Sequence, residues 1–298
     1  MIPPAQPLLF NKNLGQPLRP MSDLPPLTNA DGEPIVPLTQ EQKYMFDTWG
    51  WVAIPGVLSD ADIEEMRAFC YRLKNEPESI PEPHRRTYGG PLEKLTDHPV
   101  VVGFGREFLA SPYLANEECY GFRMEMSFLA LRATTDEEPM AFHAHNGNGM
   151  FRMPGDSHTY NCIPGKANAG LTRVVWELNP VEKGDGGTLF ISGSHKAAYT
   201  APESAFHPES PLWETYSCPA GSVVIFTEST THSGQPWNNP DTDRVAIFNA
   251  YNNVNTRWSR SQPHPEHLAA MPPKRQTLFR EVYASGNLTG GESYALIQ

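Results

Sequence analysis

The stretch "CPAGSVVIFTESTTHSGQPWNNPDTDRVAIFNAYN", residues 218–252, decides the fold of this chain. It holds two apolar runs, "SVVIF" and "RVAIFNAY", each bounded by turn-forming residues, and each run predicts a short strand. His232 follows the first run, where a strand opens into a loop, and Arg244 begins the second run 12 positions later. Antiparallel neighbours joined in this way would bring Arg244 to the interior near His232. The stretch therefore predicts a β-domain with a histidine and an arginine inside.

Other segments extend this pattern towards both ends of the chain. Strand candidates precede it at "YGFRMEMSFLALRA", "MAFHAH", "LTRVVWEL" and "GTLFIS", and turn signals such as "EKGDGG" and "SGSHK" separate them. Helix signals come first: Thr39 and Gln42 form a capping box, Gly50 ends that helix, and Ser59 caps the next one. "DHPVVVGFGREFLA" predicts a third helix, and "PEHLAAMPPKRQTLFREVY" predicts one or two closing helices.

Many short strands after a helical first third predict a mainly β fold with flanking α-helices. We expect a double-stranded β-helix, which is a jelly-roll, cupin-like barrel with helices packed outside. The expected division is an extended N-terminal arm over residues 1–37 and a single jelly-roll domain over residues 38–298. Within that domain we expect N-terminal helices over 38–118, a barrel core over 119–256 and closing helices over 257–298.

Charge and composition argue against several classes of partner. The chain of 298 residues carries a formal net charge of -11, which is unfavourable for binding a nucleic acid. It contains no apolar run of the roughly 18–20 residues that a membrane helix needs, and its N-terminus lacks the basic and apolar regions of a secretory signal. The 4 cysteines are far apart, without zinc-binding spacing, and are expected to be free thiols in a reducing compartment. We therefore expect a cytoplasmic protein without a membrane or nucleic-acid partner.

A pair of histidines in "AFHAHNGNGMF", residues 141–151, is the candidate metal site. His143 and His145 are one residue apart on a predicted strand, so both side chains are expected on the same face. Two imidazoles on one face can bind one metal ion, although an H-x-H pair also arises by chance between surface histidines. His232 and Arg244 add to this pair the groups needed to hold iron and a dicarboxylate cosubstrate.

Three segments carry a resemblance to a known family: "LTQEQKYMFDTWGWVAIPGVLSDADIEEMR", "LNPVEKGDGGTLFISGSHK" and the stretch at 218–252. Over residues 38–282 the chain resembles the phytanoyl-CoA dioxygenase-like (PhyH) family of Fe(II)/2-oxoglutarate-dependent oxygenases. The resemblance implies that His143 and His232 are the proximal and distal iron ligands. It implies that Arg244 pairs with the far carboxylate of 2-oxoglutarate. It also places Trp176 where the family often has an aromatic residue lining the cosubstrate pocket.

Position 145 departs from the family pattern. The family holds iron with two histidines and the aspartate of an H-x-D motif, and His145 stands at the position of that aspartate. We expect a face of three histidines, His143, His145 and His232, which would be a poorer electron donor to dioxygen than a set with a carboxylate. In an alternative register His145 is the proximal ligand and Gly147 stands at the carboxylate position.

Several other polar residues have both a functional and a structural interpretation. Ser233 either donates to the cosubstrate carboxylate or bonds its own backbone. Glu125 either reaches the metal or faces solvent, and His158 either covers the site or lies on a surface loop. His195 is expected to stabilise a turn.

Charged residues on two predicted strands are also open to two interpretations. Arg173 and Glu177 share one strand face, and the sequence does not choose between solvent and the substrate pocket. Arg244 has a structural alternative, which is an ion pair with Asp241 or Asp243.

The resemblance implies an Fe(II)/2-oxoglutarate-dependent dioxygenase that uses dioxygen to hydroxylate a C–H bond of a small organic molecule and releases succinate and CO2. Three alternatives stay open. One is a barrel that lost the carboxylate ligand and only binds a small molecule. The others are a three-histidine metalloenzyme independent of 2-oxoglutarate and a halogenase-like variant with an open coordination position. No sequence rule identifies the substrate.

Overall fold

A computed structural model of the chain describes residues 8–9, 19–20, 28–110, 115–147 and 158–282. Most of the expected N-terminal arm, the middle of the loop after the paired histidines and the last part of the expected closing helices lie outside the described residues. Strands β1 (Leu8–Leu9) and β2 (Arg19–Pro20) form an antiparallel pair within the arm. No helix in the described part of the chain is long and apolar enough to cross a membrane.

The helices begin and end where their capping residues predict. Helix α1 (Gln40–Trp49) starts with the capping box of Thr39 and Gln42 and ends at Gly50, which has a φ of 85°. Ser59 accepts a hydrogen bond from the third residue of α2 (Asp60–Asn75). Helix α3 (Pro99–Phe108) follows, and two short helices, α4 (Pro265–Ala270) and α5 (Pro273–Gln276), come after the strands. The proline pair Pro272 and Pro273 separates the last two helices, so the closing segment forms two helices rather than one.

Five strands form one antiparallel sheet with the order β3-β9-β7-β11-β4. They are β3 (Trp51–Ile54), β4 (Phe122–Arg132), β7 (Thr172–Glu177), β9 (Ser222–Thr227) and β11 (Arg244–Asn253). The two strands predicted from the stretch at 218–252 are therefore both present. They are not adjacent, because β7 pairs with β9 on one side and with β11 on the other.

The two faces of this sheet bury different side chains, because successive residues of a strand alternate between faces. One face, the helix face, packs Val174, Ile225 and Ile247 in one hydrophobic core with α2 and α3. The other, the inner face, packs Val175, Phe226 and other residues in a second, smaller core. The chain is thus a mostly antiparallel sheet with helices on one side.

A second layer covers the inner face. Strands β8 (Leu189–Phe190) and β10 (His232–Ser233) form an antiparallel pair, and His145 joins β10 through a single bridge to His232. The prediction of a strand over "MAFHAH" is wrong apart from this bridge, and the strand predicted over "GTLFIS" is reduced to two residues. The amide of His143 donates to the side chain of Ser233 rather than to a backbone carbonyl, so the ladder does not extend from His145 towards Met140. A separate hairpin, β5 (Asn161–Ile163) and β6 (Lys166–Asn168), lies nearby in the chain.

Candidate metal centre

Two of the three predicted ligands are held together by the backbone. The amide of His145 donates to the carbonyl of His232 and the amide of His232 donates to the carbonyl of His145, both at 3.2 Å. The two rings are 4.2 Å apart between centroids. His143 stacks on the outer side of His145 at 5.4 Å and is exposed to solvent. The histidines therefore converge, with His145 rather than His143 directly beside His232.

Hydrogen bonds fix the two adjacent imidazoles in the tautomer that a metal requires. Nδ1 of His145 lies 2.7 Å from the carbonyl of His143, and Nδ1 of His232 lies 2.8 Å from the carbonyl of Thr230. A carbonyl only accepts, so each Nδ1 carries the proton and each Nε2 keeps a free lone pair. Burial lowers the pKa of His232 to about 4, against the opposing effect of Glu228, so the ring is neutral at pH 7.

The position expected to hold a carboxylate in the alternative register cannot hold one. Gly147 has a φ of 82°, and a Cβ at this position would meet Oγ1 of Thr231 at 1.9 Å. As the side chains of the described residues stand, no group of three or more His, Cys, Asp or Glu side chains is arranged to hold a metal ion. His145 and His232 supply two nitrogen donors suited to iron. In the described residues no third side chain of these types is arranged with them as a ligand.

A buried carboxylate that the sequence analysis did not single out lies beside these histidines. Glu228 precedes His232 by four residues in the loop after β9, and only 4% of its surface is exposed. Its Oε2 is 3.7 Å from Nε2 of His232 and 3.8 Å from Nε2 of His158, and it accepts a hydrogen bond of 2.5 Å from the Asn146 side chain. His158 is thus directed to the site rather than to a surface loop.

Arg173 is the counter-ion of this carboxylate. Its Nε donates to Oε1 of Glu228 across the inner face, and its guanidinium lies 5.7 Å above the ring of Phe128. Burial opposes ionisation of Glu228, but Arg173 and then His232 outweigh it and lower the pKa of Glu228 to about 2. Nη1 of Arg173 is buried without a hydrogen-bond partner among the described residues. The Arg173–Glu228 pair is charged and largely buried, and Arg173 does not use all of its hydrogen-bond donors.

A second buried arginine–glutamate pair lies elsewhere on the inner face. Arg244 donates to both carboxylate oxygens of Glu177, at 2.5 and 3.3 Å, and not to Asp241 or Asp243. Tyr216 accepts from Arg244 at 3.0 Å and donates to Glu177 at 2.6 Å. Burial works against the charge of Arg244, but Glu177 outweighs it and raises the pKa of the guanidinium. Arg244 is on the predicted inner face, but Glu177 already neutralises its charge.

A third arginine adds positive charge at this end of the sheet. Arg132 lies directly opposite Arg244 in the β4–β11 ladder, so the two side chains share a face. Nη1 of Arg132 is buried without a hydrogen-bond partner among the described residues. Burial and then repulsion by Arg244 lower the pKa of Arg132 to about 10. One carboxylate, Glu177, bonds to Arg244 here, and Arg132 is left with an unused N–H.

The structure does not bring Trp176 and Ser233 to the positions expected of cosubstrate-binding residues. Trp176 faces the helices, in the same core as Val174, and lies 5.0 Å from the ring of His98. It is on the opposite face from Arg244, because odd and even positions of β7 point to opposite sides. Ser233 accepts from the amide of His143 and donates to the carbonyl of Gly234, so its hydroxyl proton is used locally.

Glu125 and His195 have structural roles. Glu125 is buried, bonds to Arg123 at 2.5 Å, and accepts the backbone amides of Trp258 and Ser259. Both interpretations of Glu125 were wrong, because its side chain is buried and its hydrogen bonds do not lead to the histidines. These bonds instead connect the segment after β11 to β4. His195 is buried in a short turn, with Nε2 2.9 Å from the carbonyl of Asp47.

Comparisons with known proteins agree with this architecture. The family model described as phytanoyl-CoA dioxygenase (PhyH) matches residues 46–246. Dioxygenase af480 of Aspergillus fumigatus is 24% identical over 239 residues, which cover 77% of this chain and 73% of that protein. HygX from Streptomyces hygroscopicus, solved with nickel, 2-oxoglutarate and hygromycin B, is similar with a TM-score of 0.57 at 20% identity, over 76% of this chain and 94% of HygX. The non-heme alpha ketoglutarate dependent carbocyclase SnoK, from nogalamycin biosynthesis, has a TM-score of 0.52 at 17% identity, over 83% of this chain and 95% of SnoK.

Proposed function

We propose a reaction for this protein from one premise: the chain belongs to the phytanoyl-CoA dioxygenase (PhyH) family and is an iron- and 2-oxoglutarate-dependent dioxygenase. The proposed reaction is hydroxylation of a C–H bond of a small organic molecule. One oxygen atom of dioxygen enters the product, the other enters succinate, and 2-oxoglutarate loses CO2. The five-stranded sheet and the β8–β10 layer are interpreted as the two sheets of a jelly roll that encloses the site.

The convergence of His145 and His232, each with a free Nε2, is the observation that carries this proposal. These two imidazoles would hold the iron, with His143 outside them. Bound iron and 2-oxoglutarate supply the activation of dioxygen and the oxidising power of the reaction. The protein contributes an apolar wall: the ring of Phe226 lies 4.7 Å from His232 and that of Phe190 lies 5.1 Å from Phe226. This wall keeps water from the inner side of the site.

The far carboxylate of 2-oxoglutarate would lie at the arginine pair of Arg132 and Arg244. Arg244 alone fits that role poorly, because its charge is neutralised by Glu177. The pair as a unit fits it, because Arg132 adds a positive charge and a buried N–H without a partner among the described residues. A planar guanidinium binds a carboxylate through two parallel hydrogen bonds.

The substrate is expected to be a small organic molecule rather than a macromolecule. HygX has been solved with hygromycin B bound, and SnoK belongs to the biosynthesis of nogalamycin. A small metabolite with both polar and aromatic or alicyclic parts is consistent with an inner face where Arg173 lies beside the stacked rings of Phe128 and Phe248.

A succinate assay tests the proposed function without a known substrate. Protein purified without oxygen is loaded with Fe(II) and 2-oxoglutarate, dioxygen is admitted, and succinate is measured. Uncoupled succinate formation that disappears in His232→Ala supports the proposal. Bound iron without any succinate, in the presence of candidate small molecules as well as in their absence, contradicts it.

The geometry at Gly147 supports a second candidate reaction. A glycine two residues after His145, with no space for a side chain, is compatible with a coordination position open to halide, as in the halogenase-like alternative. Chlorinated products that require chloride would favour this reaction over hydroxylation. Succinate formation that is insensitive to chloride would exclude it.

A further inference from the structure

The site contains a carboxylate in a different place from the one the family pattern provides. Oε2 of Glu228 is 3.7 Å from Nε2 of His232. Metal–ligand bonds to nitrogen and oxygen are roughly 2.0–2.2 Å long, so two ligands of one ion are about 3 Å apart at right angles and about 4 Å apart on opposite sides. The two atoms already have a separation that one bound ion permits, with both lone pairs available.

Hydrogen bonds hold both carboxylate oxygens of Glu228, including Oε2, the oxygen that faces His232. Arg173 holds Oε1, while the side chain of Asn146, the residue after His145, holds Oε2. Asn146 has a φ of 61°, in the left-handed region, which directs this segment back towards Glu228. The carboxylate is therefore fastened between the two chain segments that carry His145 and His232.

The partners of Glu228 include more potential metal-binding groups than an ordinary buried ion pair has. Glu228 lies among two imidazoles, an amide and one guanidinium, and its partner Arg173 keeps an unpaired buried N–H. A purely structural pair would gain more from full hydrogen bonding, as in the Arg244–Glu177 pair.

We propose that Glu228 supplies the carboxylate ligand that position 147 lacks in the register with His145 as proximal ligand, so that His145, His232 and Glu228 form a two-histidine, one-carboxylate metal site. The carboxylate comes from the loop before the distal histidine instead of from the residue two positions after the proximal one. This inference rests on the proposed function for the identity of the metal. It predicts that the chain keeps an anionic ligand set and leaves no position vacant for halide.

Metal affinity measured without turnover tests the assignment. Mn(II) binding is measured by equilibrium dialysis for the wild type, Glu228→Gln and Glu177→Gln. The second variant is a matched control, since it also removes one charge from a buried arginine pair on the same face. We expect at least about 10-fold weaker Mn(II) binding for Glu228→Gln, because changes to supporting groups alone cost 10–100-fold, and unchanged binding for Glu177→Gln. The double variant Arg173→Met/Glu228→Gln covers the case in which the single variant fails to fold.

Each outcome has a definite meaning. Weakened Mn(II) binding in Glu228→Gln and in the double variant, with the control unchanged, supports the assignment. Unchanged binding in Glu228→Gln overturns it, and if His232→Ala still abolishes binding, the proposed function survives that result. Equal weakening in Glu228→Gln and Glu177→Gln also overturns it, since the effect would then be a general loss of stability. Wild-type protein that does not bind Mn(II) or Fe(II) contradicts the proposed function itself.

Discussion

Two buried arginine–glutamate pairs lie on the inner face, and they differ in how completely their hydrogen bonds are satisfied. In the Arg244–Glu177 pair both carboxylate oxygens accept from the guanidinium, and Tyr216 bonds to both partners. In the Arg173–Glu228 pair the guanidinium contacts one oxygen, and the other faces the imidazoles of His232 and His158. The carboxylate of Glu177 is fully used by Arg244 and Tyr216, whereas the carboxylate of Glu228 also faces nitrogen donors with which it could share a cation.

This difference shows why charge pairing alone does not identify a functional residue. Both carboxylates are buried beside an arginine, and breaking either pair would leave an unpaired buried charge. Only Glu228 has an oxygen, Oε2, that faces nitrogen donors besides accepting a hydrogen bond from Asn146, so only Glu228 is placed to share a cation with an imidazole. The four predictions that follow test this distinction, beginning with the largest effect.

Removing either adjacent histidine is expected to have the largest effect. His145→Ala or His232→Ala should lower iron affinity by more than the roughly 10–100-fold typical of supporting groups and abolish succinate formation. Without a bound metal ion, Glu228 would be a buried carboxylate paired with an arginine, as Glu177 is. Iron stoichiometry after anaerobic desalting measures the effect, with His207→Ala as the control because that side chain is exposed and distant in the chain. If both variants retain iron fully, His145 and His232 do not hold the iron. The proposed difference between the two arginine–glutamate pairs then has no basis.

Removing each arginine in turn compares the pairs directly. Arg173→Met and Arg244→Met should each lower the free energy of unfolding by about 3–5 kcal/mol, since a buried carboxylate loses its partner. Mn(II) should stabilise Arg173→Met more than it stabilises the wild type, because the ion replaces the lost positive charge at Glu228, and should stabilise Arg244→Met only as much as the wild type. Urea unfolding with and without Mn(II) measures both effects. Equal rescue of the two variants would show that the pairs do not differ in the proposed way.

Arg132 is expected to contribute to cosubstrate binding but not to metal binding. Arg132→Ala should weaken binding of 2-oxoglutarate to the anaerobic Fe(II) protein about 10-fold, or ~1.4 kcal/mol, in the range of a hydrogen bond to a charged group. Lys74→Ala is the matched control, because Lys74 lines the same surface cavity as Arg132. Absorption titration of the Fe(II) protein with 2-oxoglutarate gives both affinities. A loss confined to the Lys74 variant would contradict the role assigned to Arg132.

The smallest effect is expected at His143, which lies outside the pair formed by His145 and His232. His143→Ala should change Mn(II) affinity by less than about 3-fold, roughly 0.6 kcal/mol, because the side chain is exposed and only stacks on His145. Equilibrium dialysis of the His143→Ala and His145→Ala variants shows which of the two histidines is the proximal ligand. If the His143 variant loses more affinity than the His145 variant, the three-histidine arrangement with His143 as proximal ligand is restored.

The sequence predicted the local elements well, because their determinants are local. The capping box at Thr39, the end of α1 at Gly50 and the cap at Ser59 are all present, since each depends on side chains within a few residues. Four strands of the five-stranded sheet, β4, β7, β9 and β11, were identified from apolar runs and turn residues. The strand over "MAFHAH" was wrong, because side-chain hydrogen bonding by Ser233 replaces the ladder there.

The candidate site was predicted only in outline. The family resemblance predicted that the paired histidines meet His232 and that Arg244 lies in the interior, but the strand adjacency from which the sequence also argued is absent, because β7 separates β9 and β11. The sequence left the direction of Arg173 open, offered Asp241 or Asp243 instead of Glu177 as the partner of Arg244, and predicted Trp176 in the cosubstrate pocket, whereas it lies on the helix face. The sequence signal for Glu228 is a glutamate four residues before the distal histidine, within the stretch at 218–252.

The sequence by itself determined where the helices begin and end, which runs become strands, which family the chain resembles and that no aspartate follows the proximal histidine. Only the tertiary structure decided which arginine neutralises which glutamate, since Arg244 and Glu177 are 67 residues apart and Arg173 and Glu228 are 55 apart. The physical reason is that capping and strand alternation are short-range properties of the chain. The pairing of buried charges depends instead on which side chains the folded chain brings within a few ångströms in a medium of low dielectric constant.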